Sequence, residues 1–348
     1  MPDSAAPTPG NSLATMSAAF KTHVTLLAVA VLALMFALLT GSAEVSLRDA
    51  WQAMTGNSSQ STRMLVLDLR LPRALTAFAV GGLLAVSGVF MQVLLRNPLA
   101  EPYILGTSGG AAVAALLAML LGFTTLAIDA AAFGGALGAA LLVFLVARGS
   151  GSWTPTRLLL TGVVLAAGFS AITTLLLALS PDQQLRGMLF WLMGDLSFAY
   201  EPGKAFALLL FVVIGGSLFA RHLDVLGHGE LQAAILGLPV GAVRLSLFGI
   251  TALAVAVSVT SVGVIGFVGL VVPHLIRLAV GSSHRILVPA AALAGGSLLV
   301  VADTLARTLL APRQLPVGAL TAMLGVPLFL ILIRHRSSGY RERTAASR

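Results

Sequence analysis

Ten apolar stretches recur along nearly the whole chain, over residues 23–40, 71–94, 104–122, 127–147, 158–179, 204–221, 243–262, 267–280, 286–305 and 316–334. Hydrocarbon about 30 Å thick takes roughly 20 apolar residues of helix to cross. A soluble fold could not hide this much apolar surface, for 57% of the 348 residues are hydrophobic and 10% charged. An average soluble domain has roughly 45–50% and about 25%. The expected fold is therefore an all-α integral membrane protein of about ten transmembrane helices, solvated by lipid rather than built on one large core. The eighth stretch is short, and glycines at three-residue spacing precede it from Gly263 to Gly269. That pattern predicts a broken or re-entrant helix, shielded from lipid by its neighbours.

Residues 1–20 are rich in Ala, Ser, Thr and Pro without a periodic apolar face, which predicts a disordered N-terminal extension. The transmembrane region follows over 21–334, and 335–348 reads as a cytoplasmic C-terminal tail. Lys21, the run Val24–Leu39 and the small residues Gly41, Ser42 and Ala43 imitate a signal peptide. The thin basic flank and the many later spans favour an ordinary first span. An even number of spans puts both termini on one side, and placing them inside assigns 13 of the 21 Lys and Arg to the cytoplasm.

The net charge of +8 would suggest nucleic acid in a soluble protein, but the basic residues fall between apolar runs and in the tail, forming no basic stripe. Zero cysteines exclude disulfides and thiolate chemistry. No phosphate-binding glycine loop occurs, since Gly203-Lys204 lacks both the upstream glycine and the following Ser or Thr. The six histidines are scattered without ligand spacing, so neither catalysis, nor a metal, nor a cofactor is expected. Ion-coupled transporters bury ionisable groups in mid-span. Here Asp129 and Asp195 lie near span ends, and Asp303, four residues before Arg307, reads as an intrahelical ion pair. An ion-coupled secondary transporter is thus the alternative rather than the leading class. Among 36 glycines, Gly134 with Gly138 and the cluster Gly81, Gly82 and Gly88 read as close helix contacts.

The combinations RNPLAEP at 96–102, GFVGLVVPHLIR at 266–277 and LPVGALTAMLG at 315–325 are highly specific. With the stretches around them they resemble the FecCD family of bacterial ABC importer permeases (BtuC-like), whose members carry iron-siderophores, haem or cobalamin. The resemblance covers about residues 65–334. It implies a homodimer with ten helices per subunit in the inner membrane, two cytoplasmic ATPase subunits and a periplasmic substrate-binding protein. It also implies that ATP hydrolysis belongs to a separate subunit, so the chain is not itself an enzyme.

Roles follow from the resemblance position by position. The ATPase-coupling loop matches LGHGELQAAILGLPVGAVR, 226–244, with Gly229, Glu230, Ala233, Leu236 and Gly237 as its contact region; an ordinary interhelical loop is the plainer reading. Ile235 stands where relatives often have a polar residue. Arg70, Arg73 and Arg307 match the arginines that dock the binding protein, where bidentate pairing with carboxylates would orient it. For Arg70 and Arg73 the alternative is snorkelling of basic side chains at a helix end. The cytoplasmic gate matches Asn97, Pro98 and Leu99 with Thr154 and Thr156, which could equally be a turn and a helix cap, the cap being Thr156. The pathway lining matches Ala167, Ser170, Thr173 and Leu176, a small and apolar surface that would pass a bulky chelate without trapping it.

Overall fold

The computed structural model describes residues 9–41, 43–149, 153–197, 199 and 201–345, with side chains described from 19 to 331. The elements are α1 (Pro9–Leu39), α2 (Leu47–Thr55), α3 (Gln60–Arg63), a π-helical stretch (Met64–Arg70), α4 (Leu71–Leu94), a 3-10 turn (Pro102–Leu105), α5 (Thr107–Leu120) and α6 (Thr125–Arg148). Then follow α7 (Pro155–Leu179), α8 (Asp182–Met193), α9 (Gly203–Leu218), α10 (Ala220–His228), α11 (Glu230–Ile235), α12 (Val240–Val262), α13 (Val268–Val280), α14 (His284–Thr308) and α15 (Val317–Ala345).

Six helices are long and apolar enough to cross a membrane; α9 with α10, bent by 64°, makes a seventh, and α5, α13 and part of α15 are shorter apolar helices. Each of the ten expected stretches falls on one of these. Helix α1 begins at Pro9, within the segment read as an N-terminal extension, with proline preorganised for a first turn. The remainder of that segment, residues 1–8, lies outside the described residues.

Helix α4 is the axis of the bundle, with every side chain from Thr76 to Leu94 buried. Its glycines explain why. A Cβ on Gly81 would stand 2.3 Å from the Gly295 carbonyl oxygen on α14, and one on Gly88 would stand 1.8 Å from that of Gly269 on α13. Lipid tails are as apolar as leucine, so helices associate through dispersion at such close approaches rather than through the hydrophobic effect. Gly134 and Gly138 on α6 make no such contact, and a Cβ there would meet nothing within 4 Å.

Between α12 and α13 the helix is broken as the glycine spacing predicts. Gly263 has φ 74° and Phe267 φ 68°, both left-handed. The freed backbone groups are satisfied from the 96–105 segment. The Tyr103 hydroxyl accepts from the Ile265 N–H and donates to the Ile265 carbonyl, both at 3.1 Å, and the Glu101 carboxylate accepts from the Phe267 N–H at 3.2 Å. Irregular backbone inside a membrane requires this kind of internal partner.

The two ends of the bundle differ. At one, α2 is capped by Ser46, whose side chain accepts from the Asp49 N–H, while the Asp49 carboxylate accepts from the Ser46 hydroxyl and from the Ser46 N–H, which hold that carboxyl below the usual range. The other end carries α10 and α11. There His284, at the start of α14, meets Asp224 of α10 at 2.5 Å.

Candidate coupling, gating and docking sites

Three groups of side chains can be built up from these elements. The first is the loop at the α11 end. Gly229, at φ 135°, separates α10 from α11, and Gly237, at φ 80°, ends the turn that follows. Between them Leu231, Ile235 and Leu236 are 76%, 76% and 71% exposed, an apolar face at an otherwise polar end of the bundle. Two of the expected contact residues point elsewhere. Ala233 is fully buried, because one turn of amphipathic helix must seat its small residue against the bundle to present the large ones outward. Glu230 pairs with Arg244 at 2.7 Å. Leu231, not singled out from the sequence, shares this exposed face, because so short a helix gives sequence periodicity too little to orient.

The second group lies at the same end. Asn97 Oδ1 accepts from the Leu99 N–H at 2.9 Å, closing a turn after Arg96, which sits at φ 48°; Leu99 is 43% exposed. The cap of α7 is Thr154, not Thr156: the Thr154 hydroxyl accepts from the Arg157 N–H at 3.3 Å. The cause is Pro155, which occupies the first helical position and makes its predecessor the N-cap. Thr156 is left exposed in the first turn.

Helix α7 buries only Leu158 and Gly162 within the chain. It is held closely where a Cβ on Gly162 would lie 1.9 Å from the Ile104 carbonyl oxygen, and again where Phe169 packs on Gly109 of α5. Of the expected lining residues, Ala167 and Ser170 are exposed and Thr173 and Leu176 half-buried. Val163, Val164, Leu175 and Leu179 extend the same bare helix, each more than half exposed.

The third group lies at the α2 end, where Arg70, Arg73 and Arg307 converge on a recess of about 380 Å³, joined by Ser197 and Gln314. The expected ion pair within α14 is not the one formed. Asp303 is gripped bidentately by Arg73 of α4, at 2.8 and 2.7 Å, whereas Arg307 donates to the Ala37 carbonyl of α1. The planar guanidinium fork of Arg73 meets both carboxylate oxygens at once, the bidentate geometry that makes such pairs strong. Arg70 is 5% exposed and donates to the carbonyls of Leu38, Leu39 and Ala43, so it closes the α1–α2 connection rather than reaching solvent. Snorkelling is excluded for it.

A charge-poor helical bundle with a bare helix α7, an apolar loop face at one end and an arginine-lined recess at the other has the build of a membrane permease. Residues 27–335 match the FecCD transport family, and the chain belongs to that family of ABC importer permeases. It is 43% identical over 310 residues to the hemin transport system permease protein HmuU of Yersinia pestis, covering 86% of this chain and 92% of that one. It is also 43% identical over 307 residues to the vitamin B12 import system permease protein BtuC of Vibrio cholerae, covering 86% and 90%. Among solved structures, an inward-facing metal-chelate type ABC transporter superposes with TM-score 0.81 at 31% identity, over 90% of this chain and 99% of that one. The chain is thus a multi-pass permease of the inner membrane, of a class that works with ATPase and substrate-binding partners.

Proposed function

We propose that the chain forms half of a homodimer with both termini cytoplasmic. Two separate ATPase subunits grip the α11 end, a periplasmic binding protein docks at the α2 end, and the cargo is a metal chelate of the haem, cobalamin or iron-siderophore class. The observation that carries this reading is the exposed trio Leu231, Ile235 and Leu236, an apolar patch on the loop between α10 and α12 that the described residues leave uncovered. Gly229 and Gly237 set its angle. The pathway follows the bare face of α7 past Ala167, Ser170, Thr173 and Leu176, and the gate combines Asn97, Pro98 and Leu99 with Thr154 and Thr156. In docking, Arg73 and Arg307 offer the walls of the recess to acidic side chains of the binding protein, and Arg70 shapes it from behind. The names of the relatives favour haem and cobalamin as first cargoes to test.

Membrane vesicles test the energy source. Uptake of haem or cobalamin, presented on the cognate binding protein, should require the ATPase subunit and persist when an uncoupler abolishes the proton gradient. Uptake that survives loss of the ATPase and collapses with the uncoupler would establish ion-coupled transport instead.

A further inference from the structure

The apolar face of α11 and the first turn of α7 belong to different loops, yet one side chain joins them. Arg244, in the second turn of α12, is almost wholly buried. One of its terminal nitrogens meets the Glu230 carboxylate, the first residue of α11, at 2.7 Å. The other donates to the Trp153 carbonyl at 2.9 Å, and the guanidinium carbon lies 3.7 Å from the centre of a Trp153 ring. Trp153 directly precedes Thr154, the cap of α7. Its indole is wedged against Phe144 and Phe248, at 6.2 and 6.4 Å between ring centres. The guanidinium thus spends one edge on α11, another on the backbone that enters α7, and its face on the aromatic cluster between them. Lysine, a point charge without a fork or a flat face, cannot make the three contacts together.

We propose that Arg244 is a positioning residue that transmits displacement of α11 to the start of α7. The proposal rests on the reading that α11 meets the ATPase. Pulling Glu230 moves the guanidinium, and the guanidinium moves the Trp153 backbone to which the α7 cap is attached. A chain of charge-assisted and stacking contacts between rigid pieces is the kind of link that carries such motion.

Because the chain lacks cysteine, a spin label at Leu160→Cys, on the exposed face of α7, is the one label this chain carries, and it is attached before assembly with the ATPase subunits. The reading is the change in label-to-label distance across the dimer between the nucleotide-free and the ATP–vanadate states. Glu230→Gln, Trp153→Leu and Arg244→Met should each cut the population that shifts by about fivefold while the ATPase still co-purifies and hydrolyses ATP. Glu230→Gln combined with Arg244→Met should lose no more than either alone, and Arg244→Lys should restore only part of the shift. A full shift in Glu230→Gln and Trp153→Leu overturns the proposal, as does an additive loss in the double variant or loss of ATPase co-purification with Glu230→Gln. The absence of any ATP-driven shift in the otherwise unchanged chain overturns the coupling reading itself, and the link with it.

Discussion

Charge in this bundle is placed where it fastens helices. Asp303 keeps only 4% of its side-chain surface and is held by Arg73 across the α4–α14 contact. Removing one partner of a buried pair leaves the other charge desolvated and uncompensated, which typically costs about 3–5 kcal/mol. Arg73→Ala should therefore lower the thermal unfolding temperature in detergent by an amount matching roughly 3 kcal/mol. Asp303→Asn, which keeps the shape and removes the charge, should cost less. Equal unfolding temperatures for Arg73→Ala and the unchanged chain would show that the pair is idle. The sequence offered Arg307 as the partner because four residues along a helix is a visible spacing, whereas 230 residues along a chain is not. The same blindness hid the Arg244 contacts, whose members stand at 153, 230 and 244.

Elements were far more legible. Apolar length placed ten helices, and glycine spacing found the break before α13, because both signals are local and set by bilayer thickness and backbone freedom. Which helix faces meet was not legible. The small-xxx-small pair Gly134 and Gly138 suits a close contact in sequence as well as Gly81 and Gly88 do, yet only the latter press on another backbone. Gly88→Ala should cost about 2 kcal/mol or more by forcing α4 from α13, while Gly134→Ala should leave the stability of a detergent-dispersed single subunit unchanged. The reverse order, measured by thermal unfolding, would refute the placement of α4 at the axis. At the break itself, Tyr103→Phe removes the hydroxyl that serves both polar groups of Ile265, and a loss of about 1–3 kcal/mol should follow. No loss of stability would mean that these groups find other partners.

For the molecule as a whole, orientation rests on alternation of the helices and on the basic bias of one end. In intact cells a membrane-impermeant maleimide should label Ser61→Cys, beside α2, and spare Gly227→Cys, beside α11, until the membrane is permeabilised. Labelling in the opposite order would invert the topology. The class was legible at this scale too: charge-poor spans and three specific motifs already pointed to a membrane permease of the FecCD family. The outward turn of Leu231 and Ile235, and the inward turn of Ala233, depend on how a single helical turn seats against the bundle. Composition carries no record of that.

The close backbone approach of Gly162 on α7 to Ile104 would give that helix a mechanical ratio if it served as a pivot. From Pro155 to Gly162 it extends about 10 Å and from Gly162 to Leu179 about 25 Å, at about 1.5 Å per residue. A rod pivoting on that fulcrum multiplies a displacement of its short arm roughly two and a half times at its long one. On the proposed link, a nudge of about 1 Å beside Trp153 would become an excursion of about 2.5 Å at Leu179.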